Sequence, residues 1–209
     1  MRPALLALAL LAAPAPMQAG AQVGPQPMFD AGEELEVELH ADFNGDGHAD
    51  VAYIVRGEDK RELRVATTFV TEVEIGENPP QVLALDPYPL GTAQLSEKDS
   101  ARGKVLVLED LTGGTTAVAS THRFRWDAKL QAMRLIGLDA TLYSRTYAHD
   151  GEEASWNLLT GDLVTRKLKL NKERGYDKVG ETTGKKPSPP LKLENAPSGD
   201  DLLGWPGAK

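Results

Sequence analysis

A succession of short runs in which apolar and polar residues alternate, separated by turn residues, constrains the fold of this chain most. In the first run, "EELEVELH", the apolar residues Leu35, Val37 and Leu39 alternate with glutamates. A period of two is typical of a half-buried strand, because successive side chains point to opposite faces. The next run, "VAYIV" at 51–55, is continuously apolar and rich in β-branched residues, as expected of a buried strand.

Further strand candidates follow at intervals of about ten residues. Turn signals such as "DPYP", "TGG", "WDAK" and "LTGDL" separate them, and we find no amphipathic helix of normal length. The additional strands are predicted at 62–69, 81–85, 104–109, 116–126, 132–138, 141–148, 154–159 and 163–170. The pattern therefore predicts an all-β domain over residues 30–170, mainly antiparallel, built as a sheet, a sandwich or a partial barrel.

Residues 1–21 have the features of a secretory signal peptide. Arg2 supplies the positive charge, residues 4–13 form an apolar run, and "AGA" at 19–21 offers small residues for cleavage after Ala21. The apolar run is too short to span a bilayer. The sequence predicts export to the periplasm or to the outside of the cell.

The segments on either side of the predicted domain lack the strand pattern. Residues 22–29 are predicted to form a lead-in that contains proline and glycine. Residues 171–209 are rich in lysine, glycine and proline, and are predicted to form a tail that is loosely ordered or draped over the sheet.

Composition excludes several classes of function. The chain has 31 acidic and 23 basic side chains, so it lacks the basic surface expected of a nucleic-acid-binding protein. It has no cysteine, which excludes a lipid anchor on cysteine, disulfides and thiolate chemistry. After the first 21 residues no apolar run is long enough to predict a membrane span. We therefore expect a soluble exported protein.

The stretch "DFNGDGHAD" at 42–50 has the spacing D-x-N-x-D-G-x-x-D between the first two predicted strands. Calcium is a hard cation that takes about six to eight oxygen ligands. The alternating acidic and amide residues would point inward, and the glycines would allow the sharp turn. The predicted calcium ligands are the side chains of Asp42, Asn44, Asp46 and Asp50 and the backbone carbonyl of His48.

The alternatives for the same loop are an EF-hand, an acidic hairpin and a magnesium site. An EF-hand needs flanking helices and a glutamate at position 12, whereas position 12 here is Tyr53, inside a predicted strand. Asp50 must then supply the closing carboxylate. An acidic surface hairpin that uses Asn-Gly and Asp-Gly as ordinary turn residues stays open as the alternative. Magnesium suits the loop less well, because it prefers octahedral sites that retain water.

The loop and the strand after it, "DFNGDGHADVAYIV", resemble the calcium loops of FG-GAP and VCBS-type repeats. In those repeats a DxNxDGxxD loop leads directly into an apolar strand. The motif occurs once in this chain, whereas a propeller would need several copies. The resemblance implies a calcium loop, not a propeller.

No constellation of residues predicts an enzyme. The four histidines have no zinc-site spacing, and neither a GxSxG elbow nor a phosphate-binding glycine motif is present. His122 shares a strand face with Phe124 and Trp126, so we expect a partly buried structural histidine. Trp126 and Trp156 could form a platform for a sugar, but a role in the core is the expectation.

A second resemblance involves "HRFRWDAKLQAMRLIGLDATLYSR" and "SWNLLTGDLVTRKL", which are similar to the C-terminal half of bacterial envelope proteins of unknown activity. It implies a shared fold. A weaker resemblance relates such proteins to periplasmic lysozyme inhibitors and immunity proteins, which insert an SGxY loop into their target. Here "SGDD" at 198–201 lacks the tyrosine.

These observations predict a non-enzymatic, calcium-binding binding module of the cell envelope whose partner is an envelope protein or a glycan. The alternatives are a periplasmic inhibitor or immunity protein directed against a peptidoglycan hydrolase, and a carbohydrate-binding or adhesion module.

Overall fold

The computed structural model describes residues 24–205, and the predicted signal peptide lies outside the described residues. Strands dominate this part of the chain, which confirms the predicted all-β class. In chain order the strands are β1 (Glu34–Ala41), β2 (Asp50–Arg56), β3 (Arg61–Ala66), β4 (Thr68–Val70), β5 (Ile75–Glu77), β6 (Gln81–Ala84), β7 (Gln94–Lys98), β8 (Val105–Gly113), β9 (Thr116–Asp127), β10 (Ala132–Ser144), β11 (Gly151–Asn157), β12 (Asp162–Leu170) and β13 (Tyr176–Lys185). A 3-10 turn (Leu193–Asn195) and one short helix, α1 (Gly199–Leu203), follow.

The strands form three antiparallel sheets. A four-stranded sheet has the order β1-β2-β3-β6, and a seven-stranded sheet has the order β13-β12-β11-β10-β9-β8-β7. The third sheet is the β4–β5 hairpin. The two larger sheets share one core, to which Ile54 and Leu63 contribute from one sheet and Leu106, Phe124 and Leu135 from the other. The architecture is therefore a sandwich-like pair of sheets.

The continuous apolar run in β2 reflects burial on both faces of this strand. Ala52 and Ile54 face the main core, whereas Val51, Tyr53 and Val55 form a second cluster on the opposite face. Part of the predicted lead-in lies on that side: the backbone N–H of residue 28 donates to the Tyr53 hydroxyl at 3.3 Å. The lead-in is thus a cover for the four-stranded sheet.

The strands predicted at 132–138 and 141–148 are one strand, β10, which is 13 residues long. A β-bulge between Leu135 and Gly137 shifts the register of the pairing with β9 by one residue, and the pairing continues on both sides of it. Asp139, which resembles a turn residue in the sequence, lies within the strand. Its carboxylate accepts hydrogen bonds at 2.6 Å from Arg123 and from Ser155 on the two neighbouring strands.

Residues 171–205, assigned from sequence to a loosely ordered or draped tail, are built into the domain. β13 extends the seven-stranded sheet at its edge by pairing with β12. Farther along, the Leu135 N–H donates to the Leu191 carbonyl at 2.9 Å, and Leu193 is fully buried in the main core. The apolar residues of this segment therefore complete the core.

α1 ends the described chain against the seven-stranded sheet. Ser198 caps it: its side chain accepts from the Asp201 N–H, and the Asp201 side chain accepts from the Ser198 N–H. The "SGDD" stretch is thus a capping box, which satisfies two unpaired backbone donors at the helix start. Leu202 packs against Val118, Ala140 and Leu142. Within residues 24–205, no helix has the length and apolar composition needed to cross a bilayer.

A buried ion-pair network joins the two larger sheets. Arg61 of β3 donates to Glu36 of β1 at 2.7 Å and to Asp110 of β8 at 2.8 Å, and its side chain is 0% exposed. Burial would lower the pKa of Arg61, but the two carboxylates raise it well above its usual range. Burial would likewise raise the pKa of Glu36, but hydrogen bonds from Arg61 and from the Ala93 N–H outweigh burial and lower it.

Candidate metal centre in the loop between the first two strands

The predicted metal loop, 42–50, connects the end of β1 to the start of β2. Ala41, the last residue of β1, pairs with Asp50, the first residue of β2. Gly45 and Gly47 have φ angles of 80° and 87°, a left-handed conformation that glycine adopts without strain. The loop thus makes two sharp turns between paired strand ends, as its sequence predicts.

The first half of the loop is wound around Asp42. Its two carboxylate oxygens accept the N–H of Gly45 at 2.7 Å and that of Gly47 at 3.0 Å. Asn44 also binds a backbone donor of the loop: its side-chain oxygen accepts the Asp46 N–H at 3.0 Å. Each of these side chains satisfies backbone donors of the loop, so the loop closes through its own hydrogen bonds.

Asp46 likewise accepts a backbone N–H of the loop, and it also accepts a hydrogen bond from Thr68, which lies outside the loop. Its carboxylate accepts the His48 N–H at 2.9 Å, the Thr68 hydroxyl at 2.8 Å and the Asn44 amide at 3.2 Å. Burial would raise the pKa of Asp46, but these hydrogen bonds, that of Thr68 foremost, outweigh burial and lower it. Asp46 is therefore held as a carboxylate at neutral pH.

Asp50 fastens the loop to the body of the domain. One oxygen accepts the N–H of Phe43 at 2.8 Å and that of Asn44 at 3.2 Å. The other accepts the N–H of Thr68 at 2.8 Å and its hydroxyl at 3.0 Å. Burial raises the pKa of this fully buried carboxyl group, and the four hydrogen bonds oppose that effect.

Thr68, the first residue of β4, is the functional neighbour that sequence reasoning missed. Its hydroxyl lies within hydrogen-bonding distance of both Asp46 and Asp50 but has one proton to donate. Two carboxylates therefore converge on one donor, which leaves excess negative charge at this point. Thr68 lies more than fifteen residues beyond the loop, and its spacing carries no signal of the contact.

Counting lone pairs shows which oxygens remain available to a cation. A carboxylate has about four acceptor sites and an amide oxygen has two. After the hydrogen bonds above, each carboxylate oxygen of Asp42 has one acceptor site left for a cation. The Asn44 side-chain oxygen and the Asp46 oxygen that accepts the His48 N–H also have one acceptor site left each. Asp50 keeps none.

This donor set fits calcium in type, because every donor is an oxygen. It is not a preformed cage: among residues 24–205, no three side chains of histidine, aspartate or glutamate are arranged to hold a metal ion. Asp50 would become a ligand only if the Thr68 hydroxyl donates to Asp46, or if one of the three backbone hydrogen bonds to Asp50 is released. The five-residue ligand set remains a prediction, with Asp50 as its most constrained member.

The two tryptophans expected in the core, and the histidine expected to be structural, lie in or against the main core. Trp156 is buried in the main core, with its indole N–H donating to the Lys186 carbonyl at 2.8 Å, and Trp126 is half-buried against the same core. His122 is buried and parallel to the Phe124 ring. Its Nε2 lies 2.9 Å from the Pro197 carbonyl and must donate to it, whereas Nδ1 has no hydrogen-bond partner among the described residues.

Comparison of the chain with protein-family models, with curated proteins and with solved structures finds no match. The FG-GAP, VCBS and inhibitor resemblances therefore remain predictions from the residues that carry them.

Proposed function

We propose that this chain is an exported, non-enzymatic β protein that binds calcium through the 42–50 loop and acts as a binding module in the cell envelope. The observation that supports calcium most directly is the set of oxygen sites left open on Asp42, Asn44 and Asp46. With the His48 carbonyl these supply oxygen ligands, and waters complete the coordination of a calcium ion.

In this proposal the metal neutralises charge that the protein alone leaves uncompensated. Asp42, Asp46 and Asp50 are three carboxylates within nine residues, and two of them converge on the single Thr68 hydroxyl. Mutual repulsion disfavours the folded loop, and a bound cation removes that cost. Calcium would thereby tie the end of β1 to the start of β2, with Asp50 keeping the loop attached to β4.

A calcium titration of the melting temperature tests this proposal. Binding to the folded state alone raises stability by RT ln(1 + [L]/Kd), about 2.7 kcal/mol when free calcium is about a hundred times Kd. For a domain of this size that amounts to a rise of several degrees, and EGTA should reverse it. Three carboxylates without a position-12 glutamate predict a Kd on the order of micromolar to millimolar.

Two variants separate metal binding from loop structure. Asp46→Ala should abolish the calcium response while far-UV circular dichroism retains its β-type spectrum. Thr68→Val removes a hydroxyl that contacts the same carboxylate but removes no metal ligand, so its calcium response should persist. An unchanged melting temperature across the titration, with no heat of binding in calorimetry, would return the loop to the acidic-hairpin alternative.

Export and envelope binding are tested separately from calcium. The mature chain should begin near Gln22 and be released by osmotic shock, and an exported chain that retains Met1 would contradict the export proposal. A pull-down from envelope extract, with and without calcium, then distinguishes the classes of partner. A peptidoglycan hydrolase among the captured proteins would favour the inhibitor alternative.

A further inference from the structure

A groove runs between α1 and the part of the seven-stranded sheet formed by β11, β12 and β13. It consists of two adjoining depressions of about 380 and 570 Å³, which share Glu152, Lys167 and Leu203 in their walls. Binding sites for small molecules and short oligomers have volumes of about 300–1,000 Å³. This α1 groove, defined by the lining residues of the two depressions, lies on the seven-stranded sheet, whereas the 42–50 loop joins two strands of the four-stranded sheet. None of the loop residues lines the groove.

The floor of the α1 groove is flat because its side chains are small. Ala154, Thr165 and Thr182 lie in a row across the three strands, since Ala154 pairs with Thr165 and Thr165 pairs with Thr182. Gly180 continues the floor beside Lys167, and nothing lies within 4 Å of the position that a Cβ atom would take there. A flat ligand can therefore approach the sheet closely.

The wall of the groove is apolar and ends in an aromatic ring. Leu202 and Leu203 of α1 form the wall, and Trp205, which is 41% exposed, lies at one end. An exposed tryptophan combines a large apolar face with a polar N–H. It suits a ligand whose ring faces are apolar and whose edges are polar.

Four polar side chains of the groove are exposed to solvent and have no protein partner among residues 24–205. Glu152 and Lys167 pair across β11 and β12, yet neither they nor the hydroxyls of Thr165 and Thr182 make a side-chain hydrogen bond or ion pair among residues 24–205. In contrast, Arg166, which also lines the groove, is bound to Glu181 at 2.6 Å. The groups without a protein partner in this part of the chain are therefore a carboxylate, an ammonium and two hydroxyls, whose charges cancel. One further carboxylate of the lining, that of Asp150, accepts the Leu170 N–H at 2.9 Å.

We propose that the α1 groove binds a neutral saccharide chain. Hydroxyl groups on a sugar ring can donate to Glu152, accept from Lys167 and do both with the threonines, while the C–H face of the ring packs on Trp205 and Leu203. A ligand of one charge sign would meet a like charge at Glu152 or Lys167, which disfavours it. The inference rests on the proposed role as a binding module but does not depend on calcium.

Titration of the full mature chain with chitohexaose, cellohexaose and maltohexaose, followed by calorimetry and tryptophan fluorescence, tests the proposal. At least one should bind in the presence of EGTA. Trp205→Ala should then weaken binding about tenfold, the equivalent of about 1.4 kcal/mol, because it removes an aromatic contact surface. Lys167→Ala should weaken it about fivefold, as expected for loss of a charged hydrogen-bond donor.

Lys169→Ala is the matched control, since Lys169 is an exposed lysine on the same strand that does not line the groove. Its affinity should equal that of the unchanged chain, and unaltered melting temperatures should show that all three variants fold. The proposal is overturned if none of the three sugars binds at up to about 10 mM, the weak limit of specific recognition. It is equally overturned if sugar binding survives both groove variants, or if a neutral peptide or a second copy of the chain occupies the groove instead. Calcium binding, measured on the same protein preparations without EGTA, shows whether the metal proposal fails with it or stands.

Discussion

Arg61→Met is the perturbation for which the structure gives the largest expected effect. Methionine retains much of the apolar stem but removes the guanidinium, leaving Glu36 and Asp110 without their shared cation. Their side chains are only 5% and 6% exposed. Removing one partner of a buried ion pair costs about 3–5 kcal/mol, because an uncompensated charge stays buried. For a domain of this size we expect the melting temperature to fall by about 10 °C.

The assay is urea unfolding followed by circular dichroism, with Arg56→Met as the matched control. Arg56 lies directly opposite Arg61 across β2 and β3, but its side chain is 57% exposed and its contact with Glu34 is 3.8 Å long. Exposed pairs contribute about 0–1 kcal/mol. If Arg61→Met costs no more than Arg56→Met, the ion-pair network does not stabilise the contact between the sheets and the reasoning is refuted.

The pH dependence of the same variant provides a second check. In the unchanged chain the lowered pKa of Glu36 contributes stability above its unfolded value of about 4.3, and this contribution is lost as the pH falls through the folded pKa. In Arg61→Met, Glu36 has lost this cationic partner, so protonation of Glu36 at low pH instead removes a buried charge. The difference in unfolding free energy between the two proteins should therefore be largest near pH 7 and shrink towards pH 4.

The remaining predictions concern burial elsewhere in the fold. Burial lowers the pKa of His122, so the free energy of unfolding should fall as the pH drops below the unfolded-state pKa of about 6.5. His122→Gln should reduce this pH dependence, measured as urea midpoints between about pH 7.5 and 5.5. Leu193→Ala should cost about 2–5 kcal/mol in urea unfolding, whereas the same change at exposed Leu159 should cost little; equal costs would mean that Leu193 does not complete the core. Gly151→Ala should destabilise by about 1–3 kcal/mol, because its Cβ would collide with a neighbouring carbonyl oxygen, whereas Gly184→Ala meets open space; thermal melts compare the two.

Sequence periodicity predicts those strands whose side chains divide between core and solvent. β1 and β12 are found close to their predicted bounds because apolar residues mark their buried face, and β2 is found because it is apolar on both faces. β7 and β13 were not predicted, since nearly all their residues are exposed. These two strands form the edges of the seven-stranded sheet and are held by backbone pairing, which leaves no apolar pattern in the sequence.

The candidate site was predictable in its local part only. The D-x-N-x-D spacing predicts a loop between two strands with side chains turned inward, and Asp42, Asn44 and Asp46 follow that pattern. The spacing could not predict that Asp50 would accept three backbone N–H groups or that Thr68 would contact the loop. Both depend on the packing of β4 against the loop, a contact between distant parts of the chain.

The place of Leu193 in the core has a consequence for how the chain acquires its structure. The strands of the seven-stranded sheet follow one another in chain order, so each can pair with its predecessor as soon as both are available, and such local contacts form quickly. Leu193 comes near the C-terminus and packs beneath strands made much earlier, next to β6 and β10. Because a chain is synthesised from its N-terminus, the core stays open until Leu193 has been added, long after the strands that it packs against.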